Sequence, residues 1–172
     1  MEELLKRIAV GFGRLRFFHV IMPDQMGVRT FCGRNPKSRG PGFHWVCPAL
    51  GCIEIIEVSE QVYDIREQSL TTKDKVSVLL GMSIAYSVTN PIRALYHVLD
   101  WDESLNNETL GIVGQFIWEH TFDECMDYKE MCEYVFQEIQ VIARRWGGLV
   151  HRVRRSDFCR HRALRLITGR SE

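Results

Sequence analysis

The stretch "KVSVLLGMSIAYSV" (Lys75 to Val88) decides the fold of this 172-residue chain. Val76, Val78, Leu80, Met82, Ile84, Tyr86 and Val88 take every second position, with Ser77, Gly81, Ser83, Ala85 and Ser87 between them. Successive side chains of a strand point to opposite faces, so one face enters a core and the other stays small and polar. Upstream, "CIEIIEVSEQVYDI" (52–65) reads as a long strand. "TTKDK" (71–75) has the composition of a hairpin connection, which pairs the two strands antiparallel.

Beyond Asn90 the apolar period becomes that of a helix. "NPIRALYHV" has Asn at a cap position and Pro in the first turn. "DESLNNETLGIVGQFIWEH" (102–120) sets Leu105, Thr109, Ile112, Val113, Phe116 and Ile117 along one face. "TFDE" (121–124) and "DYKE" (127–130) have the form of capping boxes. The helix from Tyr128 is expected to bury Met131, Val135, Ile139, Ile142 and Trp146, and Gly147-Gly148 ends it before a last strand, 149–158. On the N-terminal side, "GVRTFCG" (27–33) reads as a short strand and "RNPKSRGPG" (34–42) as a basic, turn-rich loop. Antiparallel strands, then helices, then one strand predict an α+β domain over 22–158.

Residues 1–21 read as a basic amphipathic helix. Leu4, Leu5, Ile8, Phe12, Leu15 and Phe18 share one side, with Lys6, Arg7 and Arg14 opposite. Such a helix suits a membrane interface, lying in its plane, or packs on a partner subunit. Residues 159–172 form a short basic tail. No uncharged stretch of about 18 residues is present, and no secretory cleavage pattern follows the N-terminus. Six cysteines in such a chain point to reduced thiols and a cytoplasmic setting.

Formal net charge is zero but unevenly spread. Residues 1–45 carry eight Lys and Arg against three acids, residues 99–143 one Lys against eleven acids, and residues 144–172 nine Arg against two acids. An acidic block followed by a basic one steers neighbouring subunits.

These motifs, taken in order, resemble the band 7 or SPFH family of stomatin, prohibitin, flotillin and the HflK/HflC group. The resemblance rests on "MGVRTFCGR", "GPGFHWVCP", "VYDIREQSLTTKDKVSV", "YSVTNPIRALYHV", "HTFDECM" and "ARRWGGLVHRVRRSDF", covering roughly residues 20–158. It identifies a short form without the long C-terminal coiled coil. It implies a non-enzymatic, self-associating scaffold that organises membrane proteins or restrains a membrane protease, peripheral on the cytoplasmic membrane face. A soluble or phage-type ring subunit is the alternative.

Candidate chemistry is sparse. His44, Cys47 and Cys52 supply three ligand types without the second pair that a zinc site needs, so they are read as strand residues. Cys159 and His161 lie in one basic segment, where neighbouring arginines favour a reactive thiol over a nucleophile–base pair. No hydrolase, zinc-protease, P-loop or dinucleotide motif is found. No catalytic residue, metal or cofactor is therefore expected. "GRNPKSRG" (33–40) presents Arg34, Lys37 and Arg39 to phosphate or to lipid headgroups. The arginine-rich end lacks interleaved aromatics, which argues against nucleic acid. Arg152, Arg154 and Arg155 are instead assigned to a homo-oligomer interface against Glu119, Asp123, Glu124 and Glu130 of the next subunit.

Overall fold

The computed structural model describes residues 18–47 and 50–160. Its strands are β1 (Phe18–Ile21), β2 (Gln25–Phe31), β3 (Arg34–Arg39), β4 (Gly42–Trp45), β5 (Gly51–Glu57), β6 (Gln61–Thr71), β7 (Ser77–Val88) and β8 (Gly148–Arg160). Between β7 and β8 come α1 (Pro91–Tyr96), α2 (Trp101–Glu119), α3 (Phe122–Cys125) and α4 (Tyr128–Trp146). The strand–helix–strand order expected from the sequence is present. No described helix is long and apolar enough to cross a membrane. The described residues form two compact units, one within 18–60, 87–101 and 144–149 and the other from 61–86, 102–143 and 150–160.

The second unit holds a three-stranded sheet in the order β6-β7-β8. β6 and β7 pair antiparallel from Gln61↔Tyr86 to Thr71↔Ser77, as the hairpin composition predicts. Val78, Leu80, Met82, Ile84 and Tyr86 are all buried on alternate positions of β7. α2 covers that face, with Leu70 Cδ2, on the β6 position opposite Val78, lying 4.0 Å from where a Gly114 side chain would begin. The register slips between Ile65 and Gln68, a β-bulge that opens the ladder at Arg66. The buried Asn106 of α2 answers it: its Oδ1 accepts the Arg66 N–H at 3.4 Å. A polar side chain inside a core is stable only with such a partner.

The β6–β7 turn is locked to the helices. The Thr72 hydroxyl, almost fully buried, donates to the Asp74 carboxylate and accepts the Val76 N–H at 3.2 Å. Asp74 Oδ1 also accepts the Phe122 N–H at 3.2 Å, and the Lys73 N–H donates to His120 O at 3.0 Å. At α3 the expected capping box is complete: Thr121 Oγ1 accepts the Glu124 N–H, and a Glu124 carboxylate oxygen accepts the Thr121 N–H at 2.8 Å. In "DYKE", Asp127 accepts from the Lys129 N–H at 3.0 Å. α4 buries Met131, Val135, Ile139 and Ala143. Ile142 and Trp146, expected in that stripe, are only half-buried. Ala143 continues the i, i+4 progression from Ile139, which brings it and not Ile142 onto the buried line.

The first unit holds a two-stranded sheet, β1-β4, and a three-stranded one, β3-β2-β5. Three expectations need correction here. The 52–65 strand is two strands: β5 pairs with β2 and β6 with β7, so the chain leaves one ladder near Val58–Glu60 before joining the other. The 34–42 loop is largely strand β3, paired antiparallel with β2 from Gly27↔Arg39 to Phe31↔Arg34. It is exposed throughout, so hydrogen bonding and not an apolar pattern holds it in the sheet. Residues 18–21, assigned to the end of the N-terminal helix, are strand β1, because β4 provides a partner ladder from Phe18↔Trp45 to Ile21↔Gly42.

A glycine corner closes this unit. α4 ends at Gly147 with φ +92°, a left-handed conformation that glycine adopts without strain. Its carbonyl accepts three hydrogen bonds, from the Thr89 N–H (2.9 Å), the Asn90 N–H (2.8 Å) and the Thr89 hydroxyl (3.0 Å). Asn90 caps α1 by accepting the Arg93 N–H at 3.2 Å. A Cβ on Gly147 would lie 2.6 Å from Asn90 O, and one on Gly148 would lie 2.3 Å from the Trp101 ring. Gly147→Ala and Gly148→Ala are each predicted to destabilise the protein by about 2 kcal/mol or more, read by chemical denaturation. A loss within about 0.5 kcal/mol would show that the corner relaxes freely.

The Thr121 N–H and hydroxyl hold the Glu124 carboxyl below its ordinary value, and the Thr72 hydroxyl holds that of Asp74 below its own. Depressed carboxyl values mean that these contacts contribute fully above the ordinary carboxylate range and fade as pH falls through the lowered values. Glu124→Gln is therefore predicted to flatten the acid limb of a stability–pH curve measured by circular dichroism; an unchanged acid limb would refute the linkage.

Candidate interaction surfaces

The β1–β4 ribbon has two faces. Register partners share a side, so His19, Ile21, His44 and the following Val46 form one face, and Phe18, Val20, Phe43 and Trp45 form the other. Ile21 and Val46 are buried. Ile21 Cδ1 comes within 2.6 Å of a Cβ position on Gly27, and Val46 Cγ1 within 2.9 Å of one on Gly51. The side-chainless positions of β2 and β5 thus let the ribbon lie flat on the three-stranded sheet. On the outer face Phe18, Val20, Phe43 and Trp45 are 57–66% exposed, and Met22 follows them at 54%. Phe18 and Phe43 stack at 5.0 Å between ring centroids.

Of the residues assigned by sequence to a membrane interface, the structure describes Phe18 alone, on this ladder. Leu4, Leu5, Lys6, Arg7, Ile8, Phe12, Arg14 and Leu15 fall outside the described residues. The aromatic ladder was partly legible: "GFHWV" alternates Phe43 and Trp45 with His44 and Val46. Which set faces outward depends on the sheet beneath. His44 Nε2 lies 2.9 Å from Gly40 O. All six thiols are free, and among the described residues no group of three or more His, Cys, Asp or Glu is placed to hold a metal. Burial pushes the Cys125 and Cys132 thiols up, away from the reactive thiolate.

The β2–β3 hairpin is basic on the side where the ribbon lies. Arg29 and Lys37 are register partners, and Arg39 pairs with Gly27, the glycine beneath Ile21. With Phe31 and Asn35 they line a cleft of about 250 Å³.

The second unit carries the acid and arginine sets. Glu119, Asp123, Glu124 and Glu130 are all exposed, as are Arg152 and Arg154. Glu119 accepts from the Gln115 side chain at 3.1 Å, and Glu124 serves the capping box. Arg155 is held within its own chain. It donates to the carbonyls of Cys125 (2.8 Å) and Met126 (3.3 Å) at the end of α3, with Phe158 4.9 Å below its guanidinium. Arg160 lies 4.3 Å over the ring of Phe122, which stacks on Phe158. Between α4 and the outer strand β8, a cleft of about 390 Å³ is lined by Tyr128, Lys129, Cys132, Glu133, Val153, Arg154 and Arg155. Of the assigned arginines, Arg155 answers a helix end of its own chain.

Comparison with known proteins places this architecture. The family model for the SPFH domain / Band 7 family matches residues 19–157. An uncharacterized protein of Methanothermobacter thermautotrophicus is 26% identical over 135 residues, covering 78% of this chain and 42% of that protein. A stomatin homolog of Pyrococcus horikoshii is 24% identical, covering 62% of this chain and 40% of its own. The modulator of FtsH protease HflK of Escherichia coli is 28% identical, covering 63% and 26%. The chain thus spans less than half the length of each of these relatives. With its matched region running from β1 almost to the end of β8, the chain belongs to the SPFH domain / Band 7 family.

Proposed function

We propose that this chain is a self-associating scaffold subunit that docks on the cytoplasmic face of a membrane and carries out no chemistry of its own. The observation that carries this reading is the outer ladder of the β1–β4 ribbon. Two Phe, one Trp, one Val and one Met project outward together, a composition that a single water-facing ribbon does not retain without a partner. Trp and Phe are suited to the headgroup boundary, where one part of the ring meets water and the rest meets acyl chains. Each subunit makes a weak contact of this kind, and linking subunits multiplies it through effective concentration. By likeness to the HflK modulator, a membrane protease is the proposed client.

The charged sets of the second unit support lateral association. Since Arg155 already serves α3, the outward charge of β8 is proposed to centre on the exposed Arg154, with the acids of α2, α3 and α4 as the complementary set on the next subunit. β8 is the outer strand of its sheet, and its arginines restrict which partner can approach that edge.

The membrane reading is tested by vesicle flotation. Phe43→Ser with Trp45→Ser, both on the exposed face, is expected to lower vesicle binding at least tenfold with thermal stability unchanged. Equal flotation of variant and parent overturns the assignment. If the parent never floats and the variant instead loses its oligomer, the ladder is a subunit contact and the soluble-ring reading takes its place.

Association is tested by light scattering after gel filtration. Arg154→Glu is expected to shift the population to smaller species, and salt well above 0.1 M is expected to do the same to the parent, since the screening length falls below about 10 Å. Particles indifferent to both remove charge pairing as the assembly force.

A further inference from the structure

We propose that the cleft on the β2–β3 hairpin is a binding site for a lipid phosphomonoester, set beside the aromatic ladder of the same unit. This deepens the membrane reading above and rests on it. Arg29 and Lys37 stand directly opposite one another across the ladder, and Arg39 is the next residue of β3 on that side. Like charges in opposed cross-strand positions repel, so the folded hairpin holds this arrangement at a cost in stability. Among the cleft's lining residues there is no carboxylate: they are Arg29, Phe31, Asn35, Lys37 and Arg39. An anion of charge near −2 relieves the repulsion, and a phosphate monoester carries about that charge at neutral pH. Arginine also offers a planar fork of donors that matches phosphate oxygens.

Two features select a lipid over a soluble phosphate. Phe31, 51% exposed, makes one wall of the cleft apolar, which suits the glycerol and upper acyl region below a headgroup. The ribbon is seated on the same side of the sheet: Gly27, the partner of Arg39, lies under Ile21, and Gly51, the partner of Phe31, lies under Val46. A headgroup held by the three cations therefore lies next to the face that enters the bilayer boundary. The exposed β3 is kept as a strand by β2, so the cations are presented at fixed spacing and not from a pliant loop.

The test is cosedimentation of the full chain with vesicles of phosphatidylcholine alone, or containing phosphatidylserine or phosphatidic acid at equal nominal surface charge. Phosphatidic acid vesicles are expected to bind most tightly. Arg29→Gln with Lys37→Gln and Arg39→Gln is expected to lower that affinity on the order of a hundredfold, about fivefold per cation, while leaving the weaker binding to phosphatidylcholine. Should loss of the half-buried Arg29 impair folding, Lys37→Gln with Arg39→Gln alone is expected to lower it on the order of twentyfold. Equal binding to phosphatidylserine and phosphatidic acid vesicles, or a preference that survives the substitutions, overturns the site but leaves the membrane reading intact. A parent that binds no vesicle overturns the membrane reading itself. Inorganic phosphate that binds without vesicles as tightly as phosphatidic acid vesicles do would assign the cleft to a soluble phosphate and overturn its lipid identity.

Discussion

The carbonyl of Gly147 is the acceptor on which the first unit depends. Three donors from Thr89 and Asn90 converge on it, and Asn90 in turn caps α1. That single oxygen fixes where β7 ends, where α1 starts and where α4 gives way to β8. The geometry is available only because residue 147 takes a positive φ and carries no side chain against Asn90 O. The neighbouring Gly148 lets the Trp101 ring close over the backbone, so the first residue of α2 is seated at the same corner. The "WG" pair that appears in sequence as a helix stop is, physically, the junction of five elements.

The second unit applies a comparable device in side chains. Thr72 and Asp74 satisfy one another and the Phe122 N–H, so the β6–β7 turn supplies an acceptor to the start of α3, whose far end is met by Arg155. Asn106 does the same for the bulge at Arg66. In each case a backbone group that regular structure leaves without a partner is met by a side chain from a distant part of the sequence, as buried polar groups require. These contacts define one specific arrangement; the apolar core beneath them supplies most of the favourable free energy.

The proposed function rests on two surfaces of this architecture. The ribbon shows how an apolar face is left outside: two strands pair, one side is buried on a sheet cleared by glycines, and among the described residues no element of its own unit covers the other. The basic hairpin beside it puts cations where an anionic boundary would meet that face. Both surfaces belong to the N-terminal third of the chain, while the acids and arginines proposed for lateral contact lie in the second unit.

Much of the fold was legible from local pattern alone. The alternation through β7, the Asn-Pro start of α1, the capping box at Thr121 and the glycine stop after Trp146 are set by interactions within a few residues, so the sequence declares them. Assignments that depended on a distant partner were the ones that changed. Residues 18–21 became a strand because β4 lies opposite them; 34–39 because β2 does; and 52–65 divided because its halves pair in different sheets. For the same reason the sequence named Arg34, Lys37 and Arg39 but not Arg29 and Phe31, which reach the cleft only through cross-strand register. It grouped Arg155 with its neighbours, although carbonyls thirty positions away in the chain engage it. The sequence by itself determined residue types, periods, caps and the buried face of β7; the tertiary structure alone decided which segments pair and which side of the β1–β4 ribbon and of the β2–β3 hairpin faces water, because pairing and register are properties of two segments and not of one.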